Sequence, residues 1–354
     1  MKSLLYNHDA LLLSSISMLL ACFTTFQIVK KYLKNEDAGI PYNLYLRGHT
    51  FTSPDAPVNE PDDEIPKRFI NGCDGDLKEA RRRWEITREW RLREGVDNIL
   101  DQPQPNFAVI QENYPFYWCG RGKQGHAVYY ERPGELNRDV LVKQYGFNVN
   151  DMIRHWLYVT EYTWKYIAPG EMDKTISVID MGAVTMSSLS GEPFKFLNTS
   201  IQLANHHYPE RSFVIYIVNA PNWFSFLWKM IKGFIHENTQ KKIRILSKKE
   251  TLEGLMEHID VELIPVYYGG KLDYGGDRGV DSCRFYSPEV VQFKKYTDNI
   301  IARAAGNSPF SSQESNLDLP PGTPGENHPP HRKSHPLNTV STYIYIYIYV
   351  FIYM

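Results

Sequence analysis

The 354-residue chain has few cysteines and almost no net charge. Its cysteines (Cys22, Cys73, Cys119 and Cys283) include no close pair and no metal-ligand spacing, so the sequence predicts no metal site. The same pattern favours a reducing compartment over a disulfide scaffold. The formal net charge of −2 gives no general attraction to polyanions, which argues against nucleic acid as a partner.

The sequence also lacks the local motifs of several enzyme classes, since it contains no G-x-S-x-G nucleophile elbow and no P-loop. Gly120, Gly122 and Gly125 match the G-x-G-x-x-G spacing of dinucleotide-binding proteins, but residues 126–131 alternate like a strand where that motif requires a helix. We interpret these glycines as a turn that leads into the first strand of a sheet. We therefore predict no cofactor, no catalytic residue and no enzymatic activity.

The most informative stretch covers residues 206–246. Residues 212–218 are mostly β-branched or aromatic, which predicts a buried strand. Residues 223–235 are apolar at nearly every angle of a helix, whereas 237–240 are a polar break before a second predicted strand at 243–246. Strand, helix and strand in this order predict a parallel sheet. A helix this apolar must lie under another layer or face an apolar ligand or a membrane.

Five sequence blocks occur in the order and at the spacing typical of the CRAL-TRIO lipid-binding proteins. They are the turn YPER at 208–211, YIVNAP at 216–221, the aromatic helix, KIRIL at 242–246 and PVYYGG at 265–270. The chain thus resembles this family, which includes phosphatidylinositol/phosphatidylcholine transfer proteins. The resemblance implies an α/β fold, with a mainly parallel sheet flanked by helices. It also implies an apolar gate helix over a lipid-filled cavity and a small N-terminal helical module.

The resemblance further implies which side chains meet the lipid. Glu210, Lys242 and Arg211 are assigned to the lipid headgroup, because a cation near the phosphate and an acid near the ring hydroxyls suit an inositol phosphate. The gate is assigned to the apolar side chains of the helix at 223–235, namely Trp223, Phe224, Phe226, Leu227, Trp228, Met230, Ile231 and Phe234. The alternative for Glu210 and Lys242 is that they pair with each other, or with Arg211 and Arg244.

Three polar residues are expected to line the cavity. They are Tyr129 on a predicted strand, and Thr185 and Ser187, which lie two residues apart and so on one face of an extended segment. For the hydroxyl pair, ordinary hydrogen-bonded structure is the alternative. One departure from the transfer proteins is the Cys73-Asp74 pair, which stands where they have an Arg-Lys pair. This departure puts phosphatidylinositol in doubt as the ligand.

The expected function is binding of a phospholipid in an internal cavity and its transfer between membranes, without covalent chemistry. Phosphatidylinositol or phosphatidylcholine is the expected ligand, a membrane surface the expected partner, and a monomer the expected state. The first alternative is a carrier for a single-chain apolar molecule of the retinoid or tocopherol kind. The second is a lipid hydrolase, which the missing motifs disfavour.

The ends of the chain differ from its centre. Residues 10–29 are uncharged over the length that spans a bilayer, and lysines follow them, which predicts a membrane anchor with the following domain in the cytoplasm. A cleaved signal peptide and an interfacial helix are the alternatives. Residues 343–350, YIYIYIYV, are either a translated TA repeat or an aggregation-prone segment. The predicted divisions are 1–36 (anchor or signal), 37–66 (linker), 67–102 (helical module), 103–305 (lipid-binding domain) and 306–354 (disordered tail).

Overall fold

The computed structural model describes residues 64–184, 192–231 and 237–306. Five strands form one sheet in the order β1-β2-β3-β4-β5. The β1–β2 pair is antiparallel, and every other neighbouring pair is parallel. The strands are β1 (Phe116–Arg121), β2 (Ala127–Glu131), β3 (Thr175–Asp180), β4 (Ser212–Val218) and β5 (Ile243–Ile245). The predicted α/β fold with a mainly parallel sheet flanked by helices is confirmed.

Ten α-helices are assigned within the described residues. In chain order they are α1 (Lys67–Asn71), α2 (Leu77–Glu94), α3 (Phe107–Asn113), α4 (Val149–Tyr162), α5 (Glu192–His207), α6 (Asn222–Ile231), α7 (Glu237–Lys242), α8 (Thr251–Leu255), α9 (Ser282–Tyr286) and α10 (Pro288–Ala304). Short 3-10 segments occupy Val96–Asp101, Pro133–Glu135, Val261–Leu263, Val266–Tyr268 and Gly279–Asp281, and wider π-type turns occupy Asp139–Gln144 and Thr163–Ile167.

The alternation of side chains along the strands divides the core into two layers. On β4, Ile215 and Ile217 join one apolar cluster, whereas Val214 and Tyr216 join the other. We call the Ile215 side of the sheet the front face; helices α3 to α6 and Phe293 of α10 contribute to its core. The back face packs against the segment from α8 to α9. Both faces are therefore covered, as expected for parallel strands.

Two sequence-based expectations about the sheet need correction. The glycines at 120–125 do not precede the first strand, because β1 ends among them and they turn the chain into β2. Gly120 and Gly125 have φ of 71° and 83°, a region that favours glycine. The expected polar break at 237–240 is part of α7, whose Glu237 and terminal lysines complement the helix dipole.

A further correction concerns the membrane. The predicted anchor at 10–29 lies outside the described residues, and within 64–184, 192–231 and 237–306 no helix is long and apolar enough to cross a bilayer. This finding contradicts the predicted transmembrane helix and the predicted single-pass anchor. The tail at 343–350 also lies outside the described residues.

Candidate functional site

Three charged side chains meet at the amino-terminal edge of the parallel strands. Lys174 directly precedes β3, Glu210 lies just before β4, and Lys242 directly precedes β5. The ammonium nitrogens of Lys174 and Lys242 each lie 3.2 Å from Oε2 of Glu210. Parallel pairing brings these positions to one edge, because the three strands begin side by side. The structure thus brings Glu210 and Lys242 together and adds Lys174, which the sequence did not single out.

The cluster carries an excess of positive charge, with two ammonium groups for one carboxylate. Burial alone would raise the pKa of Glu210, but Lys242 and Lys174 outweigh this effect and hold the pKa below its usual range. All three side chains remain 22–27 % exposed, so a ligand has access to them. Glu210 also has a φ of 59°, in the region where residues other than glycine are strained.

Arg211, the third predicted headgroup residue, is held differently. Its Nη1 donates hydrogen bonds to the backbone carbonyls of Gly170, Glu171 and Asp173 at 3.0–3.2 Å. Its guanidinium carbon lies 4.2 Å from the centre of the Trp164 ring. Within the described residues Glu210 thus pairs with Lys242, as in one of the two alternatives, and does not pair with Arg211.

A second group of polar side chains forms a row across the front face. Trp118 of β1 is the register partner of Tyr129 on β2, and Tyr129 is the partner of Ser177 on β3. The row continues through Ile215 and Ile243, so it changes from polar to apolar across the sheet. The indole nitrogen of Trp118 is buried and has no hydrogen-bond partner among the described residues, which leaves a donor for a ligand on this face.

The predicted hydroxyl pair, Thr185 and Ser187, lies outside the described residues. A different pair, Thr175 and Ser177, occupies the front face of β3 and is buried. Thr175 donates to the carbonyl of Arg211 at 3.5 Å, close to the limit of a hydrogen bond. Strand alternation over TISVID could have found this pair, because it puts both hydroxyls on the same side as Ile179.

Glu131, at the end of β2, is a titratable group that the sequence analysis missed. It shares the front face with Tyr129, and the hydroxyl of Tyr114 donates a hydrogen bond to its carboxyl group. Burial raises the pKa of Glu131. Burial likewise raises the pKa of Tyr129, so the phenol stays protonated and donates to the carboxyl group of Glu131.

The predicted gate corresponds to α6, which ends at Ile231 within the described residues. Phe224 is fully buried, and Trp223 and Trp228 are partly buried against the front-face core. Lys229 is exposed. The side chains of Phe226, Leu227, Met230 and Ile231, together with the whole of Phe234, lie outside what the structure describes.

The Cys73-Asp74 pair lies in the turn between α1 and α2. The thiol of Cys73 is 3.6 Å from Nη1 of Arg83, which also donates to the carbonyl of Gly72 at 3.2 Å. The other terminal nitrogen of Arg83 donates to the carbonyl of Asn205 on α5 at 2.7 Å.

Within the described ranges, no group of three or more His, Cys, Asp or Glu side chains is arranged to hold a metal ion.

Residues 111–270 match the sequence profile of the CRAL/TRIO domain, and they include the row on the front face and the Lys174, Glu210 and Lys242 cluster. The chain contains a CRAL/TRIO domain.

Among its relatives is the phosphatidylinositol/phosphatidylcholine transfer protein SFH9 of Arabidopsis thaliana, which is 25% identical over 76% of this chain and 49% of its own length. Another is the SEC14 cytosolic factor of Eremothecium gossypii, 26% identical over 62% of this chain and 72% of its own length. The chain spans about half the length of the Arabidopsis relatives it matches. The crystal structure of Sfh5 aligns with a TM-score of 0.48 and 18% identity, over 69% of this chain and 81% of that one.

Proposed function

We propose that this protein binds a phospholipid on the front face of its sheet and transfers or presents it between membranes, without making or breaking covalent bonds. The observation that carries the proposal is the net positive cluster of Lys174, Glu210 and Lys242 at the edge of a sheet face that is apolar on β4 and β5. The relatives named as phosphatidylinositol/phosphatidylcholine transfer proteins support it.

In this proposal the acyl chains lie beneath α6, against the part of the front face that is apolar, on β4 and β5. The lipid phosphodiester carries one negative charge, which matches the excess of one ammonium group in the cluster. Charge-assisted hydrogen bonds from Lys174 and Lys242 then hold the phosphate, while Glu210 accepts hydrogen bonds from hydroxyls of an inositol ring. Exchange of the lipid requires movement of α6, which is the proposed gate.

The polar row gives a place for a headgroup that does not reach the edge cluster. The hydroxyl of Ser177 and the indole donor of Trp118 can donate to the phosphate or ester oxygens of such a lipid, beside Tyr129, whose own donor is engaged by Glu131. Phosphatidylcholine, which has no ring hydroxyls for Glu210, is the lipid we assign to this row.

Binding assays on single variants test the headgroup assignment. Lys242→Ala and Lys174→Ala each remove a charge-assisted hydrogen bond, so we expect phosphatidylinositol binding to weaken about ten-fold or more. Binding of phosphatidylcholine should be spared. Lys271→Ala is the control, because it removes an exposed lysine from a comparable pair with Glu262. Equal losses for both lipids in the Glu210→Ala and Lys242→Ala variants would rule out the headgroup site and favour a purely structural ion pair.

A further inference from the structure

Arg68 of α1 and Arg211 before β4 lie close enough to interact electrostatically, beside the amino-terminal edge of the sheet. Glu171 connects them. Its carboxylate accepts a hydrogen bond from the backbone nitrogen of Lys67 at 2.5 Å, and its backbone carbonyl accepts one from Nη1 of Arg211 at 3.1 Å. The start of α1 and the Arg211 guanidinium are thus held against the same residue.

Both guanidinium groups have donors to spare. The Nε atoms of Arg68 and Arg211 are buried and have no hydrogen-bond partner in the part of the chain that the structure describes. Arg211 uses Nη1 for backbone carbonyls and stacks on the Trp164 ring, but within the same residues it forms no ion pair. The guanidinium carbon of Arg68 lies 5.2 Å from the centre of the Phe69 ring.

The neighbouring carboxylates are already engaged elsewhere. Glu161 accepts two hydrogen bonds from Arg91 at 2.9 Å and one from the hydroxyl of Tyr208 at 2.5 Å. The carboxylate of Asp173 accepts from the backbone nitrogen of Gly170 at 2.8 Å. Glu171 is engaged by the backbone nitrogen of Lys67. Within the described residues these carboxylates act on the two arginines only at longer range, and none of them forms an ion pair with Arg68 or Arg211.

The charges at this place favour the binding of an anion. Burial, followed by repulsion from Arg68, lowers the pKa of Arg211 to about 10, and Asp173, Glu161 and Glu171 offset this effect only in part. Burial, followed by repulsion from Arg91, lowers the pKa of Arg68. Both groups therefore remain charged at neutral pH. Guanidinium forks favour planar bidentate contacts with phosphate or carboxylate, and an anion bound beside them would offset the repulsion that Arg68 exerts on Arg211.

We propose that Arg68 and Arg211 form an anion subsite that binds a phosphate group, distinct from the Lys174, Glu210 and Lys242 cluster. The phosphate has two candidate sources, the phosphomonoester of a phosphorylated inositol lipid and a free phosphate. The lipid source rests on the proposed lipid-binding function, whereas the free-phosphate source does not. In this proposal Arg68 supplies, from the first helix, a cation that the Cys73-Asp74 turn does not.

The test compares Arg68→Gln with wild-type protein in two assays, with Arg81→Gln as an exposed control on α2. In the first, the protein is incubated with vesicles of phosphatidylinositol, phosphatidylinositol 4-phosphate and phosphatidylcholine, and the loaded lipids are measured by mass spectrometry. We expect Arg68→Gln to lower loading of the 4-phosphate about ten-fold relative to phosphatidylinositol. In the second, Tm is measured in inorganic phosphate and in chloride of equal ionic strength.

A phosphate-dependent rise in Tm that Arg68→Gln removes assigns the subsite to free phosphate, and a selective loss of 4-phosphate loading assigns it to the lipid. Arg68→Lys keeps the charge and should restore part of either effect, which separates binding from a general folding defect. If Arg68→Gln behaves like Arg81→Gln in both assays, the subsite does not exist. A protein that loads no lipid at all disproves the proposed function, while the phosphate assay still tests the subsite.

Discussion

The carboxylate of Glu161, on α4, accepts hydrogen bonds from α2 and from the turn before β4. Arg91 of α2 approaches it in a bidentate fashion at 2.9 Å, and the hydroxyl of Tyr208 donates to it from the turn that precedes Glu210. The pair is mostly buried, with Arg91 20% and Glu161 14% exposed. Removing one partner of a mostly buried ion pair lowers the stability of the fold, because the remaining charge has lost water without full compensation.

We expect Glu161→Gln to lower the free energy of unfolding by about 2–3 kcal/mol, because Arg91 loses its bidentate, mostly buried partner and keeps only the exposed carboxylate of Asp97 at 2.6 Å. Urea denaturation measures the change. Glu79→Gln is the matched control, since its pair with Arg82 is exposed and should contribute below about 1 kcal/mol. Equal effects of the two substitutions would mean that the Arg91–Glu161 pair does not hold α2 in place.

His155 on α4 is a second residue whose burial has a measurable consequence. Both ring nitrogens are buried without a hydrogen-bond partner in the described residues, and the ring lies near Phe107 and Phe116. Burial lowers the pKa of His155 to about 3. The unfolded chain therefore binds a proton below about pH 6.5 that the folded chain does not, so the contribution to stability is present above that pH and decreases as the pH falls.

Replacing His155 with Phe should remove this pH dependence. Between pH 7 and pH 5 the histidine costs the folded state about 2 kcal/mol, so His155→Phe should lose about that much less stability over the interval than the wild type. Urea denaturation at the two pH values gives both numbers, and the contribution of His207 cancels because both proteins retain it. The same loss in both proteins would show that His155 becomes protonated in the folded state.

At the scale of elements, the proposed transfer mechanism depends on α6. Phe224 anchors the helix in the front-face core, whereas Lys229 is exposed. If α6 is a gate that touches the bilayer, Lys229 lies near the membrane surface during exchange. A cation there contributes roughly 1 kcal/mol of attraction to anionic lipid.

We therefore expect Lys229→Glu to slow transfer to vesicles that contain phosphatidylserine by about ten-fold or more at low salt, and much less at high salt. A fluorescence transfer assay measures this rate. Lys78→Glu, an exposed change on α2, should have little effect. A rate that Lys229→Glu leaves unchanged would indicate that α6 does not face the membrane.

The elements that sequence analysis predicted well are those with a strong pattern. Helix α2 lies within the segment 67–102 that was expected to be helical, and its N-cap Asp76 accepts from the backbone nitrogens of Lys78 and Glu79 at 3.0 and 3.1 Å. Strand β4 matches its predicted bounds. Strand β1 was missed, because its sequence runs into glycines that were interpreted only as a turn. Helix α7 was missed because its sequence, ENTQKK, has no apolar residues at helical spacing. Such a short helix depends on its tertiary context, here its place directly before β5.

At the scale of the molecule, the site could be predicted only in part. The family resemblance supplied Glu210 and Lys242, and the parallel sheet explains why they meet. Nothing in the local sequence marks Lys174, because it joins them only through the pairing of β3 with β4. The same holds for Arg68, whose relation to Arg211 depends on how α1 rests on Glu171.

The proposed division of the chain rests on these long-range contacts as well. We propose that residues 67–102 form a helical module and residues 103–305 a lipid-binding domain. The module packs against the domain near the Lys174, Glu210 and Lys242 cluster. Trp90 of the module stacks on His207 with ring centres 3.8 Å apart, two residues before the Pro209-Glu210 turn. The linker at 37–66 and the terminal segments 1–36 and 306–354 complete the proposed division.

The central claim is that a phospholipid occupies the front face of the sheet, and mass spectrometry of an organic extract from the purified full-length protein tests it most directly. We predict that the extract contains a phospholipid in stoichiometric amount, and that this lipid is phosphatidylinositol or phosphatidylcholine. Denatured protein carried through the same extraction provides the background. An isoprenoid as the bound molecule would contradict the claim in favour of a single-chain carrier, and an extract with no lipid above background would contradict lipid binding itself.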